Sequence, residues 1–202
     1  GLYLNDGKGN FEKSNNRLPN MFMNTSCVKP ADYDNDGDID LFIGGRVVSK
    51  SYGLTPQSYL LNNDGKGNFV DVTNKDLQFS GMVTDASWVD VDNDNDLDLL
   101  TVGEWMTPKL YKNTNAQFEQ EGVSNRDVSG LWHSLAAEDF DGDGDIDFIA
   151  GNLGINTKFY RNGKEDLSMF VKYFDDNLYV EQIVAYKEHD KWFPNEIRDE
   201  LE

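Results

Sequence analysis

The chain has 202 residues, enough for a sizeable core, and its 37 acidic against 18 basic residues give a formal net charge of -19. So acidic a surface repels nucleic acid and anionic membranes and draws cations. The one cysteine, Cys27, can form no intramolecular disulfide and reads as a small buried residue; no apolar run reaches the roughly eighteen residues of a membrane span, and residues 1–25 lack a basic start followed by an apolar stretch.

Two elements alternate along the chain. The first is Tyr3-Leu-Asn-Asp-Gly-Lys-Gly-Asn-Phe11, and it returns as Leu61-Asn-Asn-Asp-Gly-Lys-Gly-Asn-Phe69, with looser copies at Leu110-Tyr-Lys-Asn113 and Phe159-Tyr-Arg-Asn162. The second is Asp32-Tyr-Asp-Asn-Asp-Gly-Asp-Ile-Asp40, repeated as Asp90-Val-Asp-Asn-Asp-Asn-Asp-Leu-Asp98 and Asp139-Phe-Asp-Gly-Asp-Gly-Asp-Ile-Asp147, with starts 58 and 49 residues apart. After each aspartate loop comes a short apolar run ending at Gly: Leu41-Phe-Ile-Gly-Gly, Leu99-Leu-Thr-Val-Gly and Phe148-Ile-Ala-Gly. Such runs favour buried strands over helices. The Asp-Gly and Lys-Gly pairs mark a hairpin turn ahead of Phe69-Val-Asp-Val-Thr.

One unit therefore reads as strand, aspartate loop, buried strand, longer connection, strand, Gly turn, strand. Four antiparallel strands repeated at roughly fifty residues predict an all-β propeller. A β-sandwich has no reason to repeat one loop at blade-length intervals. The expected blades are 1–24 (second half of a blade), 25–81, 82–130, 131–165 and 166–202 (first half of a degenerate one). Since Gly1-Leu-Tyr-Leu4 falls inside a unit, the chain is expected to be a segment of a larger propeller, although its complementary ends could pair to close a small ring.

Carboxylates at positions 1, 3, 5 and 9 of a curled loop converge on a point. Two of them about 4 Å apart repel by roughly 4 kcal/mol at an effective dielectric near 20, so a cation is required. Oxygen donors without His or Cys select Ca²⁺ over Zn²⁺, and a flexible loop favours it over Mg²⁺. Three calcium sites are expected. They comprise Asp32, Asp34, Asp36 and Asp40; Asp90, Asp92, Asp94 and Asp98; and Asp139, Asp141, Asp143 and Asp147. Asp38, Asp96 and Asp145 at position 7 are expected to add a backbone carbonyl. One acidic loop alone would read as a solvated turn; three in one register do not. The EF-hand alternative needs a Glu at position 12, where Ile43, Thr101 and Ala150 stand in apolar runs. Asn95 replaces Gly at position 6 and tolerates the left-handed backbone, so the second site is expected to persist in intact or weakened form. A fourth copy, Tyr173-Phe-Asp-Asp-Asn-Leu-Tyr-Val-Glu181, keeps Asp175, Asn177 and Glu181 but has Tyr at position 1 and Leu at position 6, and no metal is assigned to it.

Loop, strand and period together resemble the FG-GAP or VCBS repeats, similar to the N-terminal propeller of integrin α subunits and frequent in bacterial surface proteins. The resemblance implies a seven-bladed or similar propeller with Ca²⁺ between the first two strands of a blade. It also implies an extracytoplasmic place: cell surface, periplasm or secreted. Gly44-Gly45-Arg46, Val102-Gly103-Glu104 and Ala150-Gly151-Asn152 stand where Gly-Ala-Pro would be expected, so no integrin ligand site carries over. The expected function is non-catalytic binding of protein or carbohydrate, or scaffolding. The alternative is a propeller-based glycan hydrolase or lyase, which would need a carboxylate outside the loops beside an Arg or His; His133 and Cys27 show no evident partners in sequence. Tyr52 and Trp105, in the connections between second and third strands, are either exposed recognition residues or residues that pack between blades.

Overall fold

The computed structural model describes residues 1–123, 128–154, 167–174 and 179–195. Strands β1 (Leu2–Asn5) and β2 (Phe11–Ser14) form an antiparallel hairpin. Its turn is built by side chains: Asp6 Oδ1 accepts the Lys8 and Asn10 N–H groups, and the Asn10 amide donates to Asp6 Oδ2. Strands β3 (Asn24–Ala31), β4 (Asp40–Val47), β5 (Tyr59–Asn63) and β6 (Phe69–Asp71) follow as a four-stranded antiparallel meander. A single-turn helix, α1 (Lys75–Gln78), capped by Asn74, leads out of it.

The second meander repeats the pattern with β7 (Met82–Val89), β8 (Asp98–Met106), β9 (Lys109–Thr114) and β10 (Gln117–Gly122). Strands β11 (Gly130–Glu138) and β12 (Asp147–Asn152) open a third unit, and β11 also pairs Gly130 and Leu131 with Met106 and Glu104 at the far end of β8. A three-stranded meander of β13 (Leu167–Lys172), β14 (Glu181–Glu188) and β15 (Lys191–Pro194) comes last. The repeat copy at Phe159–Asn162 lies outside the described residues. The architecture is that of an all-β, propeller-like assembly of antiparallel blades.

Alternation along the strands sends apolar residues to both faces. Phe42 and Leu60 of the first meander meet Val83, Ala86 and Leu99 of the second, with Tyr33, Tyr111 and Phe118, in one buried cluster between the sheets. Ile43, Tyr59 and Leu61 pack on the other face against Leu18, Met21 and Met23. The apolar runs end at Gly because the backbones close in there. A Cβ on Gly45 would stand 2.3 Å from the Gln57 carbonyl oxygen, and one on Gly103 2.2 Å from that of Met82.

Adjacent units are also joined by a recurring rung. Ser26 Oγ donates to the Val83 carbonyl at 2.6 Å, and Thr84 Oγ1, at the same distance before its own aspartate loop, donates to the Trp132 carbonyl at 2.8 Å. In these two units a hydroxyl on the first strand thus binds the first strand of the next unit.

Burial separates the units in energy. Phe42 is fully buried, whereas Ile149, two residues after the loop's last aspartate just as Phe42 is, remains 60% exposed. Phe42→Ala should therefore cost about 3–5 kcal/mol in denaturant unfolding, and Ile149→Ala less than about 1 kcal/mol.

Candidate metal centres

Each loop is curled by its own first aspartate. Asp32 accepts the N–H groups of Asp36 and Gly37 at 3.1 Å each, Asp90 those of Asp94 and Asn95, and Asp139 those of Gly142 and Gly144. Positions 4 and 6 take the left-handed conformation every time: Asn35 and Gly37 (φ 59° and 93°), Asn93 and Asn95 (57° and 72°), Gly142 and Gly144 (80° and 97°). Asn and Gly are the residues that adopt it at least cost, and Asn95 does so in place of Gly. The position-5 carboxylates accept the position-7 N–H, as in Asp36 with Asp38, Asp94 with Asp96 and Asp143 with Asp145.

The curl gathers Asp32, Asp34 and Asp36, then Asp90, Asp92 and Asp94, then Asp139, Asp141 and Asp147, into groups whose ligand oxygens lie within 4.8 Å of one another. Position 9 behaves differently in the first two loops. Asp40 and Asp98 are fully buried, and one oxygen of each accepts a backbone N–H from the third strand, Asn63 at 2.8 Å and Asn113 at 2.7 Å. The other oxygen faces position 2 of the loop. Asp98 Oδ2 accepts the Val91 N–H, and Asp147 Oδ2 in the third loop accepts that of Phe140. In the first loop the Tyr33 N–H influences Asp40 without completing this bond, so Asp40 Oδ2 is buried and unpartnered, as is Asp38 Oδ1.

Burial, followed by the charges of Asp34 and Asp38, pushes the Asp40 carboxyl up to about 6. Burial and the neighbouring aspartates likewise raise Asp38 and Asp98. Oxygens that lack a proton donor and repel one another fit a hard divalent cation. At position 12, Ile43 and Thr101 are buried strand residues with no chelating group, which excludes EF-hand geometry.

A family model for the FG-GAP-like repeat matches residues 1–43 and 90–150. The chain belongs to the FG-GAP-like repeat family. No curated protein matches it.

The FG-GAP-like units share a second structural residue that the alternating sequence elements had marked without explaining. The Asn63 amide donates to the Ile39 carbonyl and the Asn113 amide to that of Leu97, each holding position 8 of its own loop. Asn113 also donates to the Tyr33 carbonyl of the preceding unit's loop. The hairpin turns between third and fourth strands lie on the side of the aspartate loops, as the meander requires. Asn115 N–H donates to Asp96 Oδ2, and a Cβ on Gly65 would be 3.3 Å from Asp38 Oδ2. Adjacent loops touch directly, with Asn35 Nδ2 donating to Asp96 Oδ1 at 3.1 Å.

In the degenerate fourth copy, Phe174 N–H donates to Glu181 Oε2, the same 2-to-9 bond as in the second and third aspartate loops. Asp175 and Asn177 lie outside the described residues.

The opposite side decides between the two readings of Tyr52 and Trp105. Tyr52 and Trp105 are not free aromatic surfaces: Trp105 Nε1 donates to Tyr52 Oη, whose hydroxyl donates to Glu104 Oε2, all at 3.0 Å. Arg46 closes the group with a 2.8 Å ion pair to Glu104 Oε1, and Glu104 is itself buried. Arg46 at the end of β4 and Tyr52 in the connection after it belong to one unit, and Glu104 and Trp105 at the end of β8 to the next, so they bind unit to unit. Trp105 holds φ at 58°, a strained value for a bulky side chain that this network maintains. His133 is exposed on β11.

Since Asp98 supports the fold through backbone groups, Asp98→Ala should cost about 3 kcal/mol even in EDTA, by orphaning two N–H donors. Asp36→Asn in EDTA should change stability by less than about 0.5 kcal/mol. Chemical unfolding of both variants without metal checks the contrast.

Proposed function

We propose that the chain is a calcium-stabilised, non-catalytic propeller module that binds protein or carbohydrate, or serves as a scaffold, outside the cytoplasm. The observation that carries the reading is the triple recurrence of one curled loop with converging carboxylates, joined in the first loop by the buried, unpartnered Asp40 Oδ2. Asp32, Asp34, Asp36 and Asp40 would hold the first ion, Asp90, Asp92, Asp94 and Asp98 the second, and Asp139, Asp141, Asp143 and Asp147 the third, with the carbonyls of Asp38, Asp96 and Asp145 alongside. Bound calcium would neutralise the carboxylates and lock each loop onto the strand it precedes.

Extracellular calcium modules work at dissociation constants of about 10⁻⁴ to 10⁻³ M, which suits a cell-surface, periplasmic or secreted setting. Among the described residues no helix is long and apolar enough to cross a membrane. The non-catalytic reading is supported by Glu104, the carboxylate outside the loops that stands beside an Arg. Arg46 and Tyr52 each bind one of its oxygens, which commits the group to joining two neighbouring units. A partner would meet the module on the connections between second and third strands, where residues 48–58 form the longer one.

Calorimetry on chelator-treated protein should count about three calcium ions, and calcium at a hundred times Kd should add about 2.7 kcal/mol of stability per site. An uptake near one ion, or melting that ignores EDTA, would contradict the reading.

A further inference from the structure

The first two loops differ at a residue that belongs to neither. Asn62 and Lys112 occupy the same place, one residue before the third-strand Asn63 or Asn113 that binds the position-9 carboxylate. Both reach the position-3 aspartate. Asn62 Nδ2 donates to Asp34 Oδ2 at 2.9 Å, and Lys112 Nζ lies 2.7 Å from Asp92 Oδ2. The geometry is equivalent and the charge is not. The Lys112 ammonium therefore already sets a cation against the second loop where the first has a neutral amide.

The position-7 side chains reinforce the difference. Asp96 is satisfied by the Asn115 N–H and the Asn35 amide, whereas Asp38 keeps a buried oxygen without a partner. The second loop thus has less uncompensated negative charge to offer an ion.

Resting on the calcium reading above, we infer that Lys112 grades the sites, making the loop at 90–98 a weaker calcium site than the loop at 32–40 and less dependent on calcium for its shape. A unit positive charge about 4–5 Å from a divalent ion weakens its binding on the order of tenfold, even with water-like screening. The same ammonium supports the loop when calcium is absent, because it offsets the repulsion between Asp92 and its neighbours.

The test is a reciprocal exchange, Lys112→Asn and Asn62→Lys, read by calcium calorimetry and by melting with and without EDTA. Asp141→Asn with Asp143→Asn silences the third loop in every sample, so two sites are measured. The parent should show two affinities on the order of tenfold apart. Lys112→Asn should bring them together by tightening the weaker site, and should lower the melting temperature in EDTA. Asn62→Lys should weaken the tighter site by a similar factor, and this arm decides the matter if Lys112→Asn fails to fold. Two equal sites in the parent, or two sites whose affinities neither exchange moves, would overturn the role of Lys112 while leaving calcium binding intact. No calcium uptake in the parent would overturn both.

Discussion

Everything in this structure is arranged around a buried aspartate at the start of a strand. Asp40 and Asp98 lie at full burial where burying a charge is costly, and each is held by an N–H from the third strand of its own meander. One carboxylate therefore sets the distance between the aspartate loop, the second strand and the third. In the first loop the second oxygen is buried without a partner beside other carboxylates, so the strand architecture and the electrostatics of the loop are coupled. The raised Asp40 pKa is its electrostatic trace.

Around that centre the two ends of the meanders take different tasks. The metal-loop end is polar and self-organised, with loops and hairpin turns hydrogen-bonded to one another and adjacent loops touching through Asn35. The other end is a joint, where Glu104 collects Arg46 and Tyr52 across the seam and β11 pairs with the end of β8. Between the ends, apolar packing of Phe42 and Leu60 against Val83 and Leu99 supplies the bulk of the attraction. The hydroxyl rungs of Ser26 and Thr84 fix the registry of neighbouring units.

The loops, the strands that follow them and the Gly turns were legible in the sequence because each depends on local chemistry: carboxylate spacing, apolar runs, residues that accept positive φ; burial was not, since the third run, Phe148-Ile-Ala-Gly, forms β12 with Phe148 and Ile149 exposed. The double duty of position 9 was not, since spacing shows that Asp40 can converge on an ion but not that Asn63 approaches it from another strand. Tyr52 and Trp105 looked like free aromatics because their partner, Glu104, is some fifty residues from Tyr52 in sequence and adjacent only in space. Lys112 was invisible for the same reason. The signal that could have found it is the alignment of Leu61-Asn62-Asn63 with Tyr111-Lys112-Asn113, read together with the loops rather than apart from them. The hydroxyls of Ser26 and Thr84 share a position before their loops and could have been found by the same comparison.

Long-wavelength diffraction from a crystal grown in calcium would test the central claim most directly, because anomalous scattering locates the ion without assuming its ligands. The account predicts three peaks, one inside each of the loops 32–40, 90–98 and 139–147, with carboxylate oxygens about 2.3–2.6 Å away. Ordered loops without such peaks, or calcium found only outside them, would contradict it.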